Sequence, residues 1–210
     1  MKTIIYYVHD PMCSWCWGFT QTYEKFIEKL HDRFEIKRLL GGLAVDSDEP
    51  MNDETKNMVQ SAWQKIEKTI PGKKFNFDFW QLNTPRRSTY PACRAVIAAR
   101  TQGEEFDVKM TSAIQTAYYQ KAQNPSDVSI LLELAGELGL NKTLFKKAIL
   151  SHEIQEILLH EIKLSRNIRA KSFPSLILNT KQSLFSIPID YCDENTMLKA
   201  VDSICSKGLL

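Results

Sequence analysis

The stretch HDPMCSWCWGF, residues 9–19, decides how the rest of the chain is interpreted. Two cysteines, Cys13 and Cys16, are separated by two residues, with one tryptophan between them and another directly after. Such a pair fits three roles: a redox couple, half of a metal site, or two thiols that are buried in a core. The segments on either side of the pair help to choose among these roles.

Those flanking segments predict a strand before the cysteine pair and a helix after it. Residues 3–8, TIIYYV, are β-branched and aromatic, which is typical of a buried strand. After Cys13, apolar residues recur every three or four positions, which predicts an amphipathic helix. The apolar stripe consists of Phe19, Tyr23, Phe26, Ile27 and Leu30. EIKRLLGG, residues 35–42, predicts a second strand that ends at two glycines. The order strand, CxxC, helix, strand is typical of a redox-active cysteine pair.

The middle of the chain predicts helices and no convincing strand. The predicted helices cover residues 52–70, 91–103, 104–121, 126–138, 142–150 and 152–168. Ser126, Asn141 and Ser151 are candidate N-caps for the last three. FNFDFW, residues 75–80, is interpreted as a loop that packs its aromatic side chains.

Strand patterns return near the end of the sequence, at residues 175–180 and 183–188, before a final helix at 193–206. The helical middle is far too long for a connecting loop in a compact domain. We therefore predict an α/β domain built from residues 1–43 and 170–210, with an all-helical domain, residues 44–169, inserted into it.

The position of the pair at a helix start explains why a redox role is favoured. A helix N-terminus carries free N–H groups and a partial positive charge, which lower the pKa of a cysteine placed there. We predict Cys13 as the exposed nucleophile and Cys16 as the buried thiol that resolves a mixed disulfide. His9, Asp10 and Ser14 are candidate modulators of the thiolate, and a carboxylate at Asp10 would oppose its formation.

The metal and core alternatives have weaker support. A structural metal site commonly needs four ligands, such as two CxxC pairs or one CxxC with two histidines. The remaining cysteines, Cys93, Cys192 and Cys205, form no second CxxC pair. We therefore expect no metal, while the interpretation as inert core thiols stays open.

The composition of the chain limits the partners and the cellular location that can be expected for it. The formal net charge of the 210 residues is +2, which gives no electrostatic reason to expect a nucleic acid or an anionic membrane as partner. No apolar stretch approaches the ~20 residues of a membrane span, and the N-terminus lacks the apolar core of a signal peptide. Five cysteines are too few for a secreted disulfide scaffold, so a cytoplasmic location is expected.

Three stretches carry a resemblance to a known family: DPMCSWCWGF at 10–19, TPRRSTYPACRAVIAA at 84–99 and SFPSLIL at 172–178. Through them the chain resembles the DsbA-like thioredoxin family, specifically its cytosolic FrnE-like branch. The resemblance implies an α/β, thioredoxin-like fold with a large all-helical inserted domain. It also implies that Cys13 is the nucleophile and Cys16 the resolving thiol.

The same resemblance implies a substrate-binding region near Pro174. It makes Pro174 a cis-proline that faces the cysteine pair, with the backbone of Phe173 available to a substrate peptide. Trp15, between the two cysteines, is a further candidate for contacts with substrate. Relatives often carry glycine where this chain has Ser172, so the sequence departs from the family pattern in the loop that would dock the substrate.

The function predicted from these features is a thiol–disulfide oxidoreductase or isomerase that acts on protein disulfides. Its redox group would be a Cys13–Cys16 disulfide with no bound cofactor, and its partners would be thiol- or disulfide-containing proteins or peptides. Glutathione is a candidate co-substrate, because Arg86, Arg87 and Arg94 could hold its carboxylates; a solvated helix face explains the three arginines equally well.

Two alternatives come from other functional classes. The first is a glutathione-dependent isomerase or transferase of related fold, although relatives of that kind tend to have serine where this chain has Cys13. The second is a non-catalytic adaptor that presents client proteins to proteolytic machinery.

Overall fold

The computed structural model describes residues 3–30, 32–180 and 183–206. Within these ranges four strands form one sheet in the order β2-β1-β3-β4. The strands are β1 (Ile4–His9), β2 (Glu35–Leu40), β3 (Ser175–Asn179) and β4 (Leu184–Ile187). The sheet therefore combines strands from both ends of the chain, as predicted from the sequence.

Strand β1 lies at the centre of this sheet, next to β2 and β3. Its Val8 is paired with Leu39 of the parallel strand β2 and with Ser175 of the antiparallel strand β3. Strands β3 and β4 are also antiparallel. A central strand is buried on both faces, which explains the uninterrupted apolar run of β1.

Nine helices cover most of the remaining described residues. They are α1 (Ser14–Glu28), α2 (Asp53–Thr69), α3 (Phe79–Leu82), α4 (Tyr90–Arg100), α5 (Phe106–Tyr119), α6 (Val128–Glu137), α7 (Lys142–Ile149), α8 (His152–Asn167) and α9 (Glu194–Ser206). Helix α1 connects the two parallel strands, and α2 to α8 lie between β2 and β3 in sequence. No strand interrupts the described part of this helical segment, in agreement with the prediction.

Two of the three predicted N-caps are confirmed. The side chain of Asn141 accepts a hydrogen bond from the Leu144 N–H, and Ser151 caps α8 in the same way. Ser126 does not cap α6: its hydroxyl donates to the carbonyl oxygen of Ser88 at 2.7 Å, and Asp127 occupies the cap position. The loop predicted at 75–80 also contains the start of the short helix α3.

The helical segment and the cysteine region share one hydrophobic cluster. Met12 and Trp17 belong to the same buried cluster as Trp63 of α2 and Tyr119 of α5. A second cluster fills the space between the sheet, α1 and α9, and it contains the fully buried Phe19. The division into two domains stays a prediction. Residues 1, 2, 31, 181, 182 and 207–210 of the predicted domains lie outside the described ranges.

A chain of ion pairs between two buried carboxylates and two partly buried arginines joins β2 to three helices of the middle segment. Arg38 of β2 pairs with Asp107 of α5 at 2.5 Å, and Asp107 also pairs with Arg100 of α4 at 2.8 Å. Arg100 in turn pairs with Glu161 of α8 at 2.7 Å. The other carboxylate oxygen of Glu161 accepts the N–H of Leu40 at 2.8 Å, so the chain of charges ends where β2 ends.

Among the described residues, no helix has both the length and the apolar composition that a bilayer span requires.

Candidate functional site

Cys13 occupies the N-cap position of α1, immediately after the turn that follows β1. Its backbone is extended, with φ −80° and ψ 115°, and its N–H donates to the carbonyl oxygen of Asp10 at 3.0 Å. The thiol of Cys13 donates to the carbonyl oxygen of Phe173, with 3.5 Å between sulfur and oxygen. The helix start and the loop before β3 thus meet at this sulfur atom.

Cys16 lies one turn further along α1 and is completely buried. Burial raises the pKa of its thiol well above the usual value, and the neighbouring Cys13 raises it further. Cys13 is also buried, with 7% of its surface exposed, so the prediction of an exposed nucleophile is wrong in this respect. The loop that carries Phe173 packs over the sulfur, and both cysteines are free thiols.

The loop before β3 fits closely against the end of β2. The Phe173–Pro174 peptide bond is cis, and Pro174 is buried. A Cβ atom added to Gly41 would lie 1.9 Å from the Cε1 atom of the Phe173 ring. Glycine at position 41 therefore leaves the space that the aromatic ring occupies. Ser172, which stands where relatives often have glycine, accepts a hydrogen bond from the Ser175 hydroxyl through its carbonyl oxygen at 2.6 Å.

Asp10 is fully buried directly before the cysteine turn and accepts hydrogen bonds with both carboxylate oxygens. Its Oδ1 atom accepts the N–H of Met12 at 2.8 Å. Its Oδ2 atom accepts the N–H of Leu43 and the hydroxyl of Thr89, each at 2.7 Å, and the thiol of Cys93 at 3.5 Å. Burial raises the pKa of this carboxyl group, while the donors oppose the rise. Asp10 thereby links the cysteine turn to the segment after β2 and to α4.

His9 ends β1 and is 1% exposed. Its ring stacks on that of Tyr7, with 4.9 Å between the centroids and 5° between the planes. Burial lowers the pKa of His9 well below its usual value, and the charges of Arg38 and Arg100 lower it further. The imidazole is therefore neutral at pH 7 and has no charge with which to stabilise a thiolate at Cys13.

A cleft of about 310 Å³ opens beside Cys13. Its lining residues are Met12, Cys13, Ser14, Trp15, Leu43, Met51, Met58, Val59, Ala62, Arg86, Arg87, Thr89, Tyr118 and Phe173. Trp15 forms part of this wall and packs against Tyr191, with 5.0 Å between ring centroids. The structure therefore brings together at one cleft four residues of the predicted site: Cys13, Ser14, Trp15 and Phe173.

The three candidate arginines have different surroundings. Arg94 forms a two-pronged ion pair with Asp46, with both distances 2.7 Å, and does not line the cleft. Arg86 lines the cleft but pairs with Asp127 at 2.5 Å. Arg87 is exposed at the cleft, and no acidic side chain in the described part of the chain forms an ion pair with it.

Several cleft residues had no signal in the sequence. Met51, Met58 and Val59 come from α2 and the loop before it, and Tyr118 comes from α5. Only tertiary packing places them beside Cys13, because nothing in their local pattern differs from that of ordinary core residues. Cys93, which lies outside the CxxC pair, is completely buried, and its thiol donates a hydrogen bond to Asp10.

The remaining cysteines are free thiols: Cys192 is exposed and Cys205 is partly buried. In the part of the chain that the structure describes, no group of three or more histidine, cysteine, aspartate or glutamate residues could hold a metal ion.

Comparison with known proteins places this site in a family. A family model described as thioredoxin matches residues 6–199. The structure is similar to that of a candidate protein disulfide isomerase from Nitrosomonas europaea, with a TM-score of 0.87, 25% identity and coverage of 99% of both chains. It also shares its fold with the cytosolic disulfide reductase DsbM from Pseudomonas aeruginosa, with a TM-score of 0.76, 20% identity and coverage of 97% of this chain and 99% of the other.

A different description comes from a curated relative. The ClpXP adapter protein SpxH of Bacillus subtilis (strain 168) is 28% identical over 177 residues, which cover 82% of this chain and 56% of SpxH. The chain thus spans little more than half the length of that relative.

Proposed function

Because the chain belongs to the DsbA-like thioredoxin family, we propose that it is a thiol–disulfide oxidoreductase acting on protein disulfides through Cys13 and Cys16. The observation that carries this proposal is the position of the Cys13 thiol. It stands at the start of α1, on the wall of an open cleft, and 3.5 Å from the carbonyl oxygen of Phe173. Cys16 lies one helical turn below it.

In this proposal the thiolate of Cys13 attacks one sulfur of a substrate disulfide. A bond forms between Cys13 and that sulfur, the substrate S–S bond breaks, and the second substrate sulfur leaves as a thiolate. Cys16 then loses its proton and attacks the sulfur of Cys13, which releases the first substrate sulfur as a second thiolate. The two substrate thiolates take up protons, and the substrate has gained the two electrons that Cys13 and Cys16 lost. The reverse sequence oxidises a dithiol.

Burial suits Cys16 to the resolving step. At neutral pH its raised pKa keeps it protonated, so it does not compete with Cys13 for an incoming disulfide. A mixed disulfide at Cys13 places an electrophilic sulfur within one helical turn of Cys16, and the attack is then intramolecular. Ser14 and Asp10 would modulate these two thiols, while Trp15, Phe173 and Pro174 would contact the substrate.

The substrates in this proposal are proteins or peptides that contain thiols or disulfides, and glutathione serves as co-substrate. A structure of DsbM from Pseudomonas aeruginosa with GSH shares the fold of this chain, with a TM-score of 0.73. The reaction needs no bound cofactor, because the two cysteines carry the electrons. A cytoplasmic location is part of the same proposal, since that compartment keeps an unpaired thiol reduced between cycles.

The proposal is tested by a redox titration. The protein is equilibrated in glutathione buffers that cover a series of reduction potentials, and its free thiols are then alkylated. Mass spectrometry of the peptides determines the redox state of Cys13 and Cys16. We expect a reversible two-electron transition at these two residues, and the midpoint fixes whether the protein oxidises or reduces its partners. In the variant Cys16→Ser we expect a trapped mixed disulfide at Cys13. If no Cys13–Cys16 disulfide forms at any of the reduction potentials, the proposal is overturned.

The similarity to SpxH favours a second candidate, a ClpXP adapter. In that case the cleft beside Cys13 would bind a client protein without exchange of electrons. The double variant Cys13→Ser, Cys16→Ser separates the two functions. An adapter would still bind its client and promote degradation in a reconstituted ClpXP assay, whereas an oxidoreductase would lose all turnover.

A further inference from the structure

The residues that line the cleft beside Cys13 carry positive charges and no negative charge. Twelve of its fourteen lining residues are uncharged, and the other two are Arg86 and Arg87. No lining residue is acidic. The side of the cleft formed by α2 adds a further cation, since the ammonium of Lys65 lies 5.9 Å from the ring centre of Trp15. The cleft thus combines an apolar surface with net positive charge next to the reactive sulfur.

The two arginines are not equivalent within this cleft. Arg86 is already neutralised, because its guanidinium pairs with Asp127 and donates to the carbonyl oxygen of Ser126 at 3.0 Å. Arg87 is exposed, and within residues 3–30, 32–180 and 183–206 it forms no ion pair or hydrogen bond. It lies close enough to Tyr118, another lining residue, for its charge to lower the pKa of that phenol against the dominant effect of burial.

The size of the cleft limits what it accepts. A volume of about 310 Å³ is at the lower end of the range for small-molecule sites, which is about 300–1,000 Å³. This is room for a short peptide rather than for a large folded surface. Four of the apolar lining residues, Met12, Met51, Met58 and Leu43, offer adaptable contacts to an aliphatic chain.

From these observations we infer that Arg87 is a specificity-determining residue that selects substrates carrying a carboxylate near the reacting sulfur. The inference rests on the proposed thiol–disulfide exchange and names its substrate class: acidic thiols and disulfides. Both glutathione and an acidic cysteine-containing peptide segment of a protein have this chemistry. The guanidinium of Arg87 supplies a planar, permanently charged donor set for the carboxylate, which lysine would not reproduce.

The inference is tested by comparing disulfides of different charge on the same protein. The substrates are glutathione disulfide, a disulfide-linked peptide with aspartate beside its cysteine, and the neutral bis(2-hydroxyethyl) disulfide. For Arg87→Glu we expect kcat/KM for the two acidic substrates to fall about 10- to 100-fold, as for loss of one charge-assisted hydrogen bond together with charge reversal. The rate with the neutral disulfide should change less than about twofold.

The control variant is Lys199→Glu, which changes the net charge equally at an exposed position of α9 outside the cleft lining. It should leave all three rates unchanged. Arg87→Lys should recover only part of the selectivity. The fall for Arg87→Glu should also shrink at high ionic strength, since salt screens an exposed charge.

The outcomes distinguish this inference from the function on which it rests. If the wild-type protein exchanges with none of the disulfides, the proposed function fails. If exchange occurs but Arg87→Glu lowers all three rates equally, or none of them, the specificity role of Arg87 is excluded. A fall limited to glutathione disulfide would assign the residue to the co-substrate, and a fall limited to the peptide would assign it to the protein substrate.

Discussion

The carboxylate of Asp10 accepts a hydrogen bond from the hydroxyl of Thr89 at 2.7 Å, although 79 positions of sequence separate the two residues. The same oxygen accepts the N–H of Leu43, so three distant segments of the chain converge on one buried charge. The geometry of the cysteine turn therefore depends on a buried carboxyl group whose partners come from distant parts of the sequence. Several properties of the protein should reveal this dependence.

The first prediction concerns Asp10→Asn. The amide replaces one acceptor by a donor, so at least one of the N–H groups of Met12 and Leu43 loses its partner. We expect a loss of about 1–3 kcal/mol in the free energy of unfolding at pH 7, the usual cost of an unsatisfied buried polar group. Urea unfolding of both proteins measures this difference.

The pH dependence of that difference has a definite sign. Because burial raises the pKa of Asp10, the folded state holds this proton more tightly than the unfolded state. The contribution of this proton to stability is complete below the unfolded pKa, about 3.9, and is lost as the pH rises through the folded value. The stability of wild type relative to Asp10→Asn should therefore fall as the pH rises from 4. A difference that rises with pH would show that the hydrogen bonds outweigh burial.

A second prediction concerns the reactivity of the thiols. Cys16 and Cys93 are completely buried, and burial raises the pKa of both, whereas Cys192 is exposed. In the reduced, folded protein at pH 7, iodoacetamide should label Cys192 at least about tenfold faster than Cys16 or Cys93, since only accessible thiolates react. Peptide mapping after timed quenching gives the three rates. Equal rates in urea and unequal rates in buffer would confirm that the fold causes the difference.

A third prediction concerns Gly41→Ala. The added methyl group would overlap the Phe173 ring, so the ring and the carbonyl that faces Cys13 must move. We expect a loss of about 1–3 kcal/mol in stability. We also expect kcat/KM for disulfide exchange to fall tenfold or more, because small displacements of positioning groups reduce rates strongly.

The matched control for this variant is Gly139→Ala. Gly139 has φ +75° and no atom within 4 Å of an added Cβ, so alanine there strains the backbone without touching the cleft. Its cost should be about 1–2 kcal/mol with an unchanged rate of exchange. If both variants lose activity in proportion to stability, the contact between Gly41 and Phe173 has no special role.

A fourth prediction concerns the buried charges that end at β2. Removal of one partner of a buried ion pair leaves an uncompensated charge, so Arg100→Met should destabilise the protein by about 3–5 kcal/mol. Glu161→Gln keeps an acceptor for the Leu40 N–H and should cost less. In a double-mutant cycle the two losses should not add, with a coupling energy of about 0.5–3 kcal/mol. Strict additivity would show that the two side chains act independently.

Parts of the fold and site were predictable because their signals are local. The strand at residues 3–8, the helix after Cys13 and the caps at Asn141 and Ser151 all follow from patterns within a few residues. Ser126 had an equally good local signal, but its hydroxyl bonds to Ser88, which packing brings within reach. Local propensity cannot anticipate a partner so far away in sequence.

The accessibility of Cys13 was mispredicted for the same reason. A position at the start of a helix favours exposure, but the loop before β3 covers the sulfur. The family resemblance implied that Pro174 faces the cysteine pair, but it did not imply that the carbonyl oxygen of Phe173 accepts a hydrogen bond from the Cys13 thiol. The buried partners of Asp10 and the methionine surface of the cleft also arise from tertiary packing. Residue type therefore indicated which side chains can react or form hydrogen bonds. Only the structure showed which of these side chains are in contact.

The sequence distance between Cys13 and Phe173, 160 positions, has a consequence for protein synthesis. During synthesis, Cys13 and Cys16 are made before helix α8. Phe173, whose carbonyl oxygen faces Cys13, and strand β3, which pairs with β1, are made after it. Any nascent chain shorter than this carries two reactive sulfurs without the wall that covers them. Until Phe173 has been made, Cys13 therefore lacks the carbonyl oxygen that covers its sulfur in the folded protein and is open to oxidation.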